Sequence, residues 1–276
     1  MGREGMKFLG FRRPDGKVGI RNHVLVLATV GCAAEAERQT ADGIYGAVSF
    51  INQNGCGESS RNLRRTQDVL VGMAANPNVY GVVAIGLGCE MNRMDGFIKE
   101  LRARTDKPIE GLLIQEEGGT IETVAKAKKI ARRMVIEASM CRREECDISE
   151  LMLGIECGGS DATSGLVSNP VMGIISDRII AAGCQLIVFT TGRGNAIGSA
   201  VAPVMKVTAN GDTARKLSDN IDLDMSAVLE EGVSLDAMAH ITMQQILDTL
   251  SGRLTSAEAL KLGYSEAVIS RACEYC

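Results

Sequence analysis

Leu151 to Asp161 reads LMLGIECGGSD, a short apolar run that breaks into Cys157, Gly158, Gly159, Ser160 and Asp161. An apolar run bounded by glycines is the pattern of a strand buried in a parallel sheet, and the polar turn after it stands at the strand's carboxyl end. Ligand sites form there in open α/β sheets. The same pattern recurs as VLVLATV (24–30) into Gly31-Cys32, VVAIGLG (82–88) into Cys89-Glu90, GLLIQ (111–115) into Glu116-Glu117-Gly118-Gly119-Thr120, and LIVFTTG (186–192) into Arg193-Gly194-Asn195. Strands that share a sheet would bring their tips together.

Helical stretches alternate with these strands. Ser59 to Ala75 carries Leu63, Val69, Leu70 and Met73 and stops at Asn76-Pro77, and Met91 to Thr105 repeats Met94, Phe97, Ile98 and Leu101 at helical spacing. Thr120 to Ala138 reads as a long helix whose Lys126, Lys128, Lys129, Arg132 and Arg133 form a solvated face. Ala47 to Ile51 adds a short strand ending in Asn52, Gln53, Asn54, Gly55 and Cys56. Beyond the charged run CRREECDISE (141–150), strand 151–156 precedes a helix near Val171 to Ala182, strands at 185–190 and 204–207, and helices near Ala214 to Asn220 and Leu235 to Ser251. The alternation predicts an α/β protein with two βα-rich regions, residues 1–141 and 150–276, divided at the charged run. The opening FLGFRRPDGKVGIRNHV (8–24) reads as a turn at Pro14-Asp15-Gly16 before the first strand, with Arg21, Asn22 and His23 just ahead of it.

The chain has 276 residues, 45% of them hydrophobic and 23% charged, an ordinary globular composition. Thirty basic and 34 acidic residues give a net charge of -4 with no basic patch, and aromatics are 3% with no Trp. Both features argue against nucleic acid as a partner. No apolar run is long enough to span a membrane, and MGREGMKFLG lacks the layout of a secretory signal, so the chain reads as cytoplasmic. Nine cysteines without a CxxC pair read as reduced thiols rather than a zinc finger.

Glycines beside the tip residues permit close backbone approach, and successive N–H groups in such turns form anion nests suited to a carboxylate or phosphate. Arg193, between Gly192 and Gly194, is the best placed cation for a bidentate carboxylate contact. Thiolates mixed with carboxylates suit Fe²⁺ or Zn²⁺ acting as a Lewis acid on a hydroxy acid. That reading requires Cys89-Glu90 and Cys157 to approach one another with Asp161. GRGNAIG is not a GxGxxG order and no Walker sequence occurs, which excludes the usual nucleotide sites. His23 and His240 offer no Ser-His-Asp set.

Five segments together resemble the altronate and galactarate dehydratase family: GFRRPDGKVGIRNHV (10–24), NPNVYGVVAIGLGCE (76–90), QEEGGT (115–120), ECGGSDATSGLVSNPVMG (156–173) and LIVFTTGRGNAIG (186–198). The resemblance implies elimination of water from a sugar acid with a divalent metal, typically Fe²⁺, and has sulfolactate sulfo-lyase as a relative. It implies a dimerising α/β domain followed by a Rossmann-like parallel sheet, a homodimer, and a small β-clip subunit alongside this chain. In the resulting enzyme reading Glu90 and Asp161 are catalytic, Arg21, Asn22, Ser160, Thr191 and Arg193 bind substrate, and Cys56, Cys89 and Cys157 hold the metal.

Two departures stand out. Asn52 and Asn54 replace histidines that family members carry before the second Gly-Cys turn, and an amide cannot act as an imidazole base or ligand. After about Ile180, SDRIIAAGCQLIVFTTGRG runs straight through where the family inserts domain-scale material. Such a shortened sheet would leave apolar surface uncovered. The alternative to an enzyme is therefore a subunit that keeps its anion-binding turns without catalytic competence.

Overall fold

The computed structural model describes residues 6–159, 161–176 and 184–262. In chain order it contains β1 (Lys7–Arg12), β2 (Val18–Gly19), β3 (His23–Ala28), α1 (Ala34–Ala41), β4 (Ala47–Phe50), α2 (Ser60–Ala75), β5 (Val79–Gly86), α3 (Met94–Arg102), β6 (Ile109–Leu113) and α4 (Thr120–Met140). There follow β7 (Glu144–Asp147), β8 (Leu153–Cys157), α5 (Asn169–Ser176), β9 (Leu186–Thr190), β10 (Val204–Thr208), α6 (Gly211–Lys216), β11 (Leu223–Asp224), α7 (Ala227–Glu230), α8 (Leu235–Leu250) and α9 (Ser256–Ala259).

The chain divides into two compact units. The N-unit holds residues 13–16 and 22–142. Its sheet runs in the order β4-β3-β5-β6 with every pair parallel. Val24, Val26, Val83 and Ile85 pack against Ala127, Ala131 and Met134 of α4 and Ala36 and Ala41 of α1. The buried positions of α4 fall at 123, 127, 131, 134 and 138, one face of a helix. Leu70 and Ala74 of α2 and Phe97 and Leu101 of α3 are fully buried as well. The chain goes from β3 outward to β4, then crosses back to β5 on the other side of β3. That reversal creates a crevice between the tips of β3 and β5, the usual ligand position in an open sheet.

The C-unit holds residues 6–12, 17–21 and the described part of 143–262. Its parallel sheet has the order β11-β10-β9-β8, and β8 pairs among the described residues only with β9. Val188, Met205 and Val207 form one core with Val171 and Ile175 of α5 and Met238, Met243, Ile246 and Leu250 of α8. A small antiparallel sheet, β2-β1-β7, adds Phe8, Val18 and Ile20 to that core. Ile155 on the free edge strand β8 is 46% exposed, apolar surface of the kind a shortened sheet leaves open.

The α/β class with two parallel sheets is as the sequence predicts. The opening of the chain is placed differently. Residues before Arg21 were expected in the first region, but β1 pairs with β7 and its Phe8 is buried in the C-unit core, so most of the opening belongs there. The charged run 141–150 is no bare linker either, since it contains β7, whose Cys146 is the inward residue of an otherwise exposed strand. The expected turn at Pro14-Asp15-Gly16 is present, closed by Gly16 N–H donating to the Arg13 carbonyl, with Gly16 at φ +81°.

Candidate functional site

At the N-unit tips, three loops meet. Glu90 is buried and both its oxygens are engaged: Thr29 Oγ1 donates to Oε1 at 3.0 Å and Gly88 N–H to Oε2 at 2.6 Å. Gly86 makes room for this carboxylate, because a Cβ there would lie 2.2 Å from Oε1. The loop after β4 crosses the tip of β3: Gly31 N–H donates to the Asn54 carbonyl, and Gly55, at φ +103°, lies so close that a Cβ would sit 2.3 Å from the Thr29 carbonyl. Asn92 ties the third loop in, donating its N–H to the Gly55 carbonyl and its side-chain amide to the Thr29 carbonyl. The crevice is thus filled by the protein's own backbone.

Cys32, Cys56 and Cys89 stand exposed around this knot. Asn52 supports it from below, accepting from Asn54 N–H at 2.9 Å and donating to the Ala28 carbonyl at 3.2 Å. Glu58 stabilises the same loop by accepting from Gly55 N–H and Thr66 Oγ1. Glu90 therefore serves as a staple of the β5 turn in this arrangement. Sequence reasoning misses Glu37, fully buried on α1, whose carboxyl accepts from Ala28 N–H and Phe50 N–H where β3 and β4 end. Burial pushes its pKa well above the usual carboxylate range, against the pull of those two donors.

The C-unit tips build a different structure. Asp161 Oδ1 accepts from Thr163 Oγ1 (2.6 Å), Ser164 N–H (3.1 Å) and Ser164 Oγ (3.3 Å), while Oδ2 accepts from Asn210 Nδ2 (2.9 Å). Burial works to raise its pKa, but the donors outweigh it and the net shift is downward. Asp161 packs flat on Gly192, where a Cβ would fall 2.2 Å from the carboxylate carbon. The Gly192 carbonyl accepts from Thr213 Oγ1 and Asn210 Nδ2, and Gly192 N–H donates to the Gly159 carbonyl. Thr191 is buried and its Oγ1 accepts from Gly194 N–H. On this locked turn Arg193 stands exposed, and among the described residues its guanidinium makes no ion pair. A fixed backbone bearing one uncommitted cation, with Gly159 at φ +61° and Gly194 at φ +78° opening the main chain on either side, is suited to holding a carboxylate.

Arg21 and Asn22 are each engaged within the unit that holds them. Asn22 precedes β3, at the amino ends of the N-unit strands, where its amide donates to the Ala138 carbonyl and its Oδ1 accepts from Arg13. Arg21 is buried in the C-unit, paired through Nε and Nη2 with Glu258 and donating also to the carbonyls of Ile20, Thr249 and Arg253. Both have structural employment at those positions. Ser160 lies outside the described residues. Of Cys157 only the backbone is described, at the end of β8 beside Thr190.

The donor chemistry at the tips suits a borderline metal. Among the described residues no three His, Cys, Asp or Glu side chains come together as a ligand set. The side chain of the expected ligand Cys157 lies outside the described atoms, and no step is derived through an Fe²⁺ centre. Also among the described residues, no helix is long and apolar enough to cross a membrane.

Comparison with known proteins accounts for nearly all of the chain. Residues 10–139 match the family model for the second domain of D-galactarate dehydratase/altronate hydrolase, and residues 148–183 and 178–274 match the model for the C-terminal domain of D-galactarate/altronate dehydratase. The beta subunit of (2R)-sulfolactate sulfo-lyase from Chromohalobacter salexigens is 28% identical over 390 aligned residues, covering 98% of this chain and 99% of that protein. Altronate dehydratases of Escherichia coli and Bacillus subtilis are 33% and 34% identical over 63% and 65% of this chain. The chain spans only 36% and 38% of their lengths in those alignments. An alignment of 390 residues against a chain of 276 leaves the sulfo-lyase subunit with a domain-scale segment that has no counterpart here. The C-terminal match breaks in two at 178–183, where the sequence places the missing segment; that junction lies largely outside the described residues. With the two domain models matched in order along nearly its whole length, the chain belongs to the D-galactarate/altronate dehydratase family.

Proposed function

We propose that this chain is a lyase subunit that eliminates a β-substituent from a small hydroxy acid, with the substrate carboxylate held at the C-unit tips. The observation that carries the reading is Arg193, exposed and uncommitted on a turn that Asp161, Asn210 and Thr213 fix in place. In such an elimination a base takes the α-proton, the electron pair forms a C=C bond, and the β-group departs with its bonding pair, as water from a sugar acid when an acid protonates the β-hydroxyl, or as sulfite from a sulfonated one. Carboxylate binding by Arg193 orients the α-carbon and stabilises the developing enediolate charge. Asp161, ionised and saturated by donors, is a poor proton acceptor and acts in this reading by positioning Arg193.

Altronate, galactarate and sulfolactate are the substrates to assay, anaerobically with and without Fe²⁺. The name of the sulfo-lyase relative, a beta subunit, supports a second polypeptide as partner, for which we propose the small β-clip subunit, and we propose that the chain also self-associates. Turnover that Arg193→Ala lowers at least about tenfold through KM, with Arg193→Lys intermediate, is the expected result. Turnover insensitive to Arg193 would sink the assignment. The second reading, a non-catalytic subunit, is favoured by the missing internal segment. It predicts carboxylate binding without turnover even when the partner subunit is supplied.

A further inference from the structure

The basic run on α4 reads from sequence as a solvated face, but in the structure it forms one wall of a depression of about 650 Å³. The other wall is the turn between α1 and β4. Lys128, Lys129, Arg132 and Arg133 line it against two carboxylates, Asp42 and Glu137. Glu137 is engaged by Arg133 of its own helix, and Arg133 also reaches Glu110. Among the described residues Lys128, Lys129 and Arg132 make no ion pair. The depression is therefore a positive site on a chain whose net charge is -4.

Helical spacing orders the groups along this wall. Lys128 and Lys129 share one turn of α4, Arg132 and Arg133 stand on the next, about 6 Å along the axis, and Ile136 follows one turn further. From the opposite wall half-buried Ile44 lines the same depression. Its turn is tight, with Ile44 N–H donating to the Ala41 carbonyl and Ala47 N–H to the Ile44 carbonyl. The order favours a ligand with two adjacent anionic groups and a compact carbon body beyond them. A single carboxylate would occupy one cation and leave the others unmatched, whereas neighbouring phosphates offer several oxygens to guanidinium and ammonium alike.

We propose that this depression binds an organic diphosphate of the nucleoside diphosphate class. Its phosphates lie on Lys128, Lys129 and Arg132, and its carbon body covers Ile44 and Ile136. Asp42 accepts from a hydroxyl, as an acidic residue does from the ribose in dinucleotide sites. The site is built from side chains on the flank of a helix and needs no glycine-rich loop, so motif reading passes over it. The turn that holds Asp42 precedes β4 and stands at the amino ends of the N-unit strands. The proposal goes beyond the lyase reading and does not depend on it.

Calorimetric titration of the full chain tests it, with ADP as the probe and pyrophosphate and adenosine as its two parts. One ADP should bind per chain with Kd below about 1 mM, and pyrophosphate about tenfold more weakly, the share that the carbon body contributes by burying apolar area. Adenosine should give no heat. Lys128→Glu/Arg132→Glu should abolish binding of ADP and pyrophosphate, and Ile136→Ser should weaken ADP while leaving pyrophosphate unchanged. Arg193→Ala should leave both unchanged. These positions are exposed or half-buried, and far-UV circular dichroism checks that each variant folds. ADP that gives no heat at millimolar concentration, or that binds no more tightly than pyrophosphate, overturns the proposal. So does binding that survives the double charge reversal, or that disappears in Arg193→Ala and thereby belongs to the C-unit tips.

Discussion

Replacing Arg21 with Ala separates the two roles that this residue could have. In the structure its guanidinium grips Glu258 at 2.6 and 2.8 Å and donates to the carbonyls of Ile20 (2.9 Å), Thr249 (3.1 Å) and Arg253 (2.9 Å). The two side chains are 7% and 17% exposed, so solvent screens the pair little. Arg21→Ala takes the guanidinium away from the Glu258 carboxylate, which still accepts from the neutral donors Thr255 N–H and Oγ1. Breaking a buried pair from one side costs about 3–5 kcal/mol. Arg143 shares this environment, and its pKa is lowered first by burial and then by Arg21. Losing Arg21 relieves that repulsion, which puts the expected loss near 3 kcal/mol, about the low end of that range. With a urea slope of about 2 kcal/mol per molar, the unfolding midpoint of the C-unit should fall by roughly 1.5 M. Hydrogen exchange of α8 peptides across a urea series reads that unit separately from the other. The double variant Arg21→Met/Glu258→Leu should recover most of the loss, because an apolar pair has no charge to leave stranded. A midpoint shift under about 0.5 M, roughly 1 kcal/mol, together with a raised KM, would refute the structural role and return Arg21 to substrate binding.

Other perturbations probe the remaining buried polar groups. Glu37→Gln should flatten the pH dependence of N-unit stability: a carboxyl with a raised folded pKa gives stabilisation that is full below the unfolded value near 4.5 and lost as pH rises through the folded value, so the variant should exceed wild type at pH 8 in a urea titration. Lys206, fully buried in β10 with no hydrogen-bond partner for its ammonium among the described residues, has its pKa lowered by burial, only partly offset by Asp222. A lowered folded pKa means stability lost as pH falls through it, so Lys206→Met should raise the midpoint at pH 7 and abolish the gain that wild type shows on approaching pH 10. Gly72→Ala, exposed inside α2 with open space around it, should stabilise by about 0.5–1 kcal/mol, whereas Gly55→Ala should destabilise by more than that through both its φ and the Thr29 carbonyl. Equal effects of the two substitutions on thermal midpoints would contradict the loop geometry.

The strands were legible because each is an apolar run closed by glycine, a local signal. What the sequence hid is non-local. Nothing in KFLGFR announces a partner at EECD, more than a hundred residues away, yet that pairing moves the opening of the chain into the other unit. Arg21 reads like a strand-edge cation, and only the arrival of α9 with Glu258 reveals a clamp. Glu37 sits among alanines on an ordinary amphipathic helix, so its neighbours in sequence say nothing of the two strand-end N–H groups that it meets. Glu90 and Asp161 were correctly placed at strand tips, but burial and saturation by donors are three-dimensional properties, and they change what each carboxylate can do.

The C-unit is assembled from pieces at both ends of the sequence, and this has a consequence for biosynthesis. Its Phe8, Val18 and Ile20 leave the ribosome more than two hundred residues before α8, against which they are buried, has been completed. The intervening residues 22–142 make up most of a unit with its own core. At elongation rates of about 5–20 residues per second segment 8–20 waits on the order of ten seconds for its partners. During that interval three apolar side chains are without their core, which makes the emerging segment 8–20 a natural client for a holding chaperone.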